Sequence, residues 1–388
     1  MAGDLTEISK LADFFNLSDL ETEVTDAIGK NRELDGHLMQ AALQGDAEMV
    51  DLLLESGAHV DTRNEDGDTA LILAAYEGHR TVVEILLSRG AEINAGNDYH
   101  NTALLRAAYR GHGEIVSLLL AKGASVAAKN KYGNSPMIEA SLGGYRHVAQ
   151  LLLDSGADIS DTDNKGSTAL IAAASAGRRE VVRLLLSRGA PVNSRNVYGN
   201  TALMVACRGG YTKVAELLMD AGADLETRDQ RGNTALLIAS RAGYIPLVER
   251  LIIAGADVET RDRFGATCLM RAAYKRHHAV LMLLLDAGAA IDAAERKSGT
   301  TALMQACYEG NLEEARLLLE RGADVDKTDN QGHTALMIAS HRNHPDLVDI
   351  LLEYGADFTL EDASGKTALA YARSERVSQL LTPATHGP

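Results

Sequence analysis

The residues through which this chain could do chemistry are few: three cysteines, two close histidine pairs, and a scatter of tyrosines and arginines. Cys207, Cys268 and Cys307 are too sparse for a disulfide framework or a four-ligand zinc site, and none has a base at a motif-defined distance. Burial among small residues is the expectation for all three, and a reducing compartment fits. His341 and His344 have H-x-x-H spacing and His277 adjoins His278, but both pairs fall in turns between helices with no Cys or Glu at metal-ligand distance. No metal is therefore expected. The chain has no P-loop, G-x-S-x-G, HExxH or strand-following GxGxxG, which predicts no catalytic residue, no cofactor and no enzymatic activity. What remains is recognition, for which tyrosine supplies stiff amphipathic area and arginine a forked set of donors.

Those side chains must be positioned by something, and the positioning element is a repeat. A hydroxyl residue precedes a small-apolar pair at Thr69, Thr102, Ser135, Thr168, Thr201, Thr234, Thr267, Thr301, Thr334 and Thr367, in steps of 33 with one step of 34. The extra residue lies between Ala289 and Thr300. Glycines at 57, 90, 123, 156, 189, 222, 255, 288, 322 and 355 keep the same spacing and show the same slip. In the stretch 64–96, Gly67 marks a turn, Thr69 can cap a helix carrying Leu71, Ala74 and Ala75, and Val82, Val83, Ile85, Leu86 and Leu87 give a second helix its apolar face. Gly90 then ends that helix in a left-handed conformation. Neither helix can bury its apolar face alone, so stability must come from stacking on neighbours.

These residues resemble the ankyrin repeat, whose pattern runs D-x-x-G-x-T-P-L-H-x-A-A, then G-H, then V-V-x-x-L-L-x-x-G-A-D-V-N. Repeats begin near 64, 97, 130, 163, 196, 229, 262, 296 and 329, with a helices-only repeat at about 35–63 and a truncated one closing the array. Ala replaces the pattern's Pro nearly everywhere, Pro136 excepted. The pattern's His becomes Ile72, Leu105, Ile138, Ile171, Met204, Leu237, Met270, Met304 or Met337, trading a hydrogen bond for apolar contact. The resemblance implies an all-α solenoid of stacked helix-turn-helix units with short β-hairpin tips. It comprises an N-terminal helical cap over 1–34, an array over 35–381 of about eleven units, and a disordered tail over 382–388. In the cap, Leu11, Phe14, Phe15, Leu20, Val24 and Ile28 recur at helical spacing and Ser18 with Glu21 forms a capping box. A separate docking helix is the alternative for this segment.

The resemblance also implies partner binding through hairpin tips and the ends of the first helices. Counting the residue five before each hydroxyl as the first of its repeat, the variable slots are the second, third, fifth, thirteenth and fourteenth. The third holds Tyr99, Tyr132, Tyr198 and Phe264; the thirteenth holds Tyr76, Tyr109, Tyr274 and Tyr308, together eight of the sixteen Tyr and Phe. Over 130–295 the slots carry Lys131, Lys165, Arg208, Arg231, Arg241, Arg263 and Lys275 and no acid, although the whole chain has net charge −16. The first two repeats are read as acidic, from Glu65, Asp66, Asp68, Glu77 and Asp98. Tyr145, Tyr211 and Tyr244 occupy the turn slot and are assigned to packing between repeats.

The expected function is a protein-binding adaptor, scaffold or recognition subunit that takes an acidic or phosphorylated segment. The alternatives are a non-catalytic regulatory or inhibitory subunit of an enzyme, or a tether docking through its N-terminal helices. The acidic balance disfavours nucleic acid and membrane surfaces. No signal core or membrane span is visible, so a monomeric, soluble cytoplasmic protein is expected.

Overall fold

The computed structural model describes residues 17–382, with side chains from residue 31. The chain divides into an N-terminal unit ending at Asn164 and a C-terminal unit beginning at Lys165. The first contains α1 (Leu17–Gln44), α2 (Ala47–Glu55), α3 (Ala70–Glu77), α4 (Arg80–Ser88), α5 (Ala103–Arg110), α6 (Gly113–Ala121), α7 (Pro136–Gly143) and α8 (Arg146–Asp154). The second contains α9 (Ala169–Ser175), α10 (Arg179–Ser187), α11 (Ala202–Gly209), α12 (Thr212–Asp220), α13 (Ala235–Ala242), α14 (Ile245–Ile253), α15 (Cys268–Tyr274), α16 (His278–Asp286), α17 (Ala302–Glu309), α18 (Leu312–Glu320), α19 (Ala335–His341) and α20 (Pro345–Glu353). A 3-10 turn, Ala368–Tyr371, and α21, Glu375–Leu380, close it. The described residues thus hold eleven helix pairs.

The first helix of each regular repeat starts where its hydroxyl sits. Thr69, Thr102, Thr168, Thr201, Thr234, Thr267, Thr301 and Thr334 each accept a hydrogen bond from the backbone N–H three residues on. Each such cap stabilises its helix by about 1 kcal/mol. Two of the ten expected caps fail. Ser135 Oγ is buried without a partner, beside a helix that starts with Pro136, and Thr367 opens only the 3-10 turn. Helices of seven to nine residues are too short to persist alone, and they are held by packing. In α3, Ala70, Ala74 and Ala75 are fully buried, which lets α5 approach closely; α5 packs on α7 in the same way, and α11, α13, α15, α17 and α19 follow one another likewise in the C-terminal unit. The residues standing in for the family's His are all buried, from Ile72 at 1% exposed to Ile171 at 3%.

At the N-terminal end, α1 runs unbroken across residue 34, where a cap was expected to give way to the first repeat. Ser18 lies within it rather than before it, while Leu11, Phe14 and Phe15 lie outside the described residues, as do 383–388.

The tips are tight turns that carry isolated antiparallel bridges, such as Arg63 with Thr69 and Arg261 with Thr267, in place of extended hairpin strands. Most turns close over five residues, as in Asn97 N–H to Asn101 carbonyl at 3.1 Å, which leaves little length for a strand. One turn is longer. Glu295 N–H bonds to the Thr300 carbonyl at 2.9 Å, so the extra residue lies in this turn and Glu295 takes the first slot there.

Successive tips are clasped by groups the sequence reading did not single out. Arg63 donates to the Gly67 carbonyl of its own tip and to the Gly96 carbonyl of the next, at 3.0 and 2.7 Å. In the C-terminal unit Arg195 reaches the Arg228 carbonyl at 2.7 Å, Arg261 reaches that of Ala294 at 2.7 Å, and Arg228 donates to that of Arg261. The turn slots act in a similar way between helices. A Cβ on Gly111, whose φ is +80°, would lie 2.4 Å from the Tyr145 ring, so that ring packs on bare backbone. Tyr211 against Gly177 and Tyr244 against Gly210 repeat the contact, in agreement with the packing role expected of these tyrosines.

Candidate functional site

A backbone ladder fixes the second and third slots. In the N-terminal unit the Lys131 N–H donates to the Tyr99 carbonyl at 2.9 Å and the Asn164 N–H to that of Tyr132 at 3.0 Å; in the C-terminal unit Gln230 bonds to Tyr198 at 3.0 Å and Arg263 to Arg231 at 3.1 Å. With main chains tied tip to tip, the side chains of these slots are displayed in register.

In the N-terminal unit Tyr99 and Tyr132 are exposed, and the Lys131 ammonium lies 3.8 and 5.5 Å from their ring centres. Tyr76 and Tyr109 stack at 6.4 Å with planes 9° apart, and the guanidinium groups of Arg106 and Arg110 lie 5.3 and 4.8 Å from the Tyr76 ring. Tyr99, Arg106, Tyr109 and Tyr132 border a cleft of about 310 Å³. Glu65, Asp66 and Asp98 are exposed, and two features reduce the acidity expected of this face. Arg110 occupies the fourteenth slot and is drawn onto Tyr76. The fifth slot faces inward: Asp68 is buried and accepts a 2.6 Å hydrogen bond from Asn97. Asn200 and Asn233 are likewise buried, because the fifth residue must complete the turn.

In the C-terminal unit two adjoining clefts of about 370 and 290 Å³ share Arg231, Asn233 and Arg241, with Tyr198 and Arg208 bordering one and Arg263 and Phe264 the other. The carboxylates beside them are committed. Asp229 accepts from the N–H groups of Arg231 and Asn233 at 2.8 and 2.9 Å, and Asp262 accepts from those of Phe264 and Ala266 at 2.9 and 3.1 Å and pairs with Arg271. Arg231, Arg241 and Arg263 form no ion pair among the described residues; Arg263 lies 4.7 Å over the Phe264 ring. Arg208 differs, since it donates to Asn200 at 2.7 Å and stands 4.0 Å from Asp229.

Farther along this unit, Lys275 lies 5.1 Å from the Tyr274 ring and Arg342 4.2 Å from that of Tyr308. Both tyrosines border a cavity of about 430 Å³ with Met304, Met337, Ile338, His333 and Tyr371. The last five were not read as site residues. Periodicity marks the methionines as core, and the signal for the rest is the truncation that turns a helix into the 3-10 segment. Beside the cavity Asp362 accepts hydrogen bonds from the Tyr371 hydroxyl, the Lys366 N–H and Ser364, which hold its carboxyl well below the usual carboxylate range. A carboxyl so depressed contributes stability that is complete above its unfolded value of about 3.9 and is lost as pH falls through the folded value. We expect Asp362→Asn to lower the thermal midpoint at neutral pH, and the gap from the parent protein to narrow progressively as pH falls below the unfolded value of about 3.9, as followed by circular dichroism.

Cys207, Cys268 and Cys307 are fully buried, and burial pushes the thiols of Cys207 and Cys307 up to about 12 and raises that of Cys268 as well. His277 Nε2 is 3.0 Å from the Arg241 carbonyl, whereas its neighbour His278 is exposed. Burial and the nearby Arg373 and Arg342 lower the pKa of His341. Among the described residues no three His, Cys, Asp or Glu cluster as metal ligands would, and no helix is long and apolar enough to cross a membrane.

Capped helix pairs in a fixed period, stacked by their first helices and joined by laddered tips, define a helical repeat protein. An ankyrin-repeat family model of three copies matches residues 21–97, 38–130, 93–163, 137–229, 192–262 and 236–329, and a model of many copies matches 318–372. The chain belongs to the ankyrin-repeat family, whose repeats are protein–protein interaction modules. Among similar solved structures is the ankyrin repeat domain of Bcl-3, described as a unique member of the IkappaB protein family. It is 32% identical, with a TM-score of 0.53, over 56% of this chain and 99% of that domain. A search among curated proteins finds no match.

Proposed function

We propose that this chain is an adaptor, scaffold or recognition subunit that binds an acidic or phosphorylated segment of another protein on the tips and first helices of its C-terminal unit. The observation that carries the reading is the set of Arg231, Arg241 and Arg263, three guanidinium groups without ion pairs beside carboxylates already committed to the fold. A carboxylate or phosphate arriving there gains charge-assisted, forked hydrogen bonds without displacing an internal pair. Tyr198, Phe264, Tyr274 and Tyr308 supply apolar contact along the same unit, and Tyr76, Tyr99, Tyr109 and Tyr132 offer a comparable face on the N-terminal unit. A monomer acting in the cytoplasm is part of this reading.

The test is position-specific cross-linking. A benzophenone amino acid placed at Tyr198 or Phe264 is expected to form adducts with a partner in lysate, and one placed at Glu249, exposed on the second helix of a repeat, is expected to form none. Adducts from Glu249 alone would move the binding face to the other side of the repeats.

A further inference from the structure

We infer that the cavity over α17 and α19 is an anchor pocket for one bulky aliphatic or aromatic side chain of an extended partner segment, with an acidic residue of that segment held by Arg342. The inference rests on the reading of this chain as a binder of protein segments, and it assigns a second contact chemistry to a separate place.

The cavity exists because two sequence changes coincide. Four residues after the capping hydroxyl, where the two preceding repeats carry Arg271 and Gln305, α19 carries Ile338, so its surface there is apolar, as it is in α13 with Ile238. The closing repeat then forms a 3-10 turn, and its Tyr371 lines the cavity together with Tyr308. Beneath lie Met304 and Met337, 1% and 2% exposed, whose unbranched thioethers adapt to the shape of an inserted group. The volume of about 430 Å³ is within the range of sites that enclose a ligand group.

The polar groups around the cavity identify its occupant by what they have already satisfied. His333 Nδ1 lies 3.1 Å from Asp329, and the Tyr371 hydroxyl donates to Asp362, so the carboxylates here are committed to the fold. Apart from the half-buried Gln305 amide, a polar occupant would find few partners to replace its hydration, whereas an apolar one loses nothing. Arg342 is the charged exception. Its Nε donates to the Tyr308 carbonyl at 2.9 Å and its guanidinium lies against the Tyr308 ring, which fixes the side chain while its terminal nitrogens make no ion pair among the described residues. With Lys275 over Tyr274, the local charge left unpaired is positive, and its complement is a carboxylate adjoining the buried anchor.

A random peptide library displayed on phage, selected against the full chain, tests this. The expected consensus carries Leu, Ile or Phe with Asp or Glu close by. Synthetic consensus peptide should bind Ile338→Trp, which fills the cavity, about tenfold or more weakly, and should bind the Arg231→Glu, Arg241→Glu, Arg263→Glu variant as before. A consensus without an apolar anchor, no enrichment at all, or equal binding by Ile338→Trp overturns the pocket. Peptides lost only in the arginine variant would overturn it while leaving the proposed arginine face standing. Should Ile338→Trp fail to give the parent helical signal, methyl-labelled methionine spectra of the unaltered chain decide: the Met304 and Met337 resonances must shift with peptide, and constancy of both overturns the proposal.

Discussion

Changing Arg231, Arg241 and Arg263 together to glutamate is expected to abolish capture of a partner whose acidic or phosphorylated segment lies on the C-terminal unit, with the helical signal and thermal midpoint nearly unaltered. Hydrogen bonds to charged groups contribute about 1.5–3 kcal/mol each, so losing three and adding repulsion amounts to a weakening of a thousandfold or more by order of magnitude. The fold is spared because none of the three is in an ion pair and each emerges from a tip or helix end. Arg208 is left in place, since its bond to Asn200 and its approach to Asp229 make it part of the structure. A triple glutamine variant separates lost attraction from added repulsion and should fall between the two. Binding to the parent chain should also weaken steadily with salt, because exposed charges are screened beyond about 10 Å at 0.1 M ionic strength. Capture by the glutamate variant equal to that by the parent would remove the arginine face as the binding site.

The fold was legible because its determinants are local or strictly periodic. Thr234 caps its helix by accepting from an N–H only three residues on, and a break of one residue in the 33-residue step was enough to place the insertion between Ala289 and Thr300, where the turn from Glu295 to Thr300 contains it. Tyr145, Tyr211 and Tyr244 could be set apart from the binding tyrosines for the same reason, since their slot is always the turn slot. The misreadings concern contacts made across a repeat boundary. Asp68 counts as a surface acid in any tally along the chain, yet it is spent on Asn97, 29 residues on. Arg106 and Arg110 bring positive charge to the face assigned to acids by folding back over Tyr76 of the preceding repeat, a contact that no pattern within one repeat shows. The cavity beside Tyr308 depends on the 3-10 form of the closing repeat. Shortening of that repeat was visible in the sequence, but the conformation it forces on Tyr371 was not.

Stacking of this kind also predicts how damage spreads. Leu251→Ala, deep in the face of α14, is expected to destabilise the C-terminal unit by about 3 kcal/mol or more, the cost of the lost side chain plus the cavity it leaves. Leu251 is fully buried, as are Leu218 in α12 and Leu284 in α16, and α14 packs on α12, α13 and α16. A stack stabilised by nearest neighbours loses cohesion first around the defect. Amide exchange should therefore quicken by on the order of a hundredfold in α12–α16, while α19 and α20 change far less. Uniform acceleration through α20 would mean that the C-terminal unit opens as one cooperative body. The local outcome has a functional consequence, because α13 and the tips on either side of it carry Arg231, Arg241 and Arg263. Leu251→Ala should then weaken binding of an acidic segment although it touches no candidate binding residue. It would do so by disordering the ladder that holds the arginines in register, and lowering the temperature should restore affinity to this variant but not to the glutamate one.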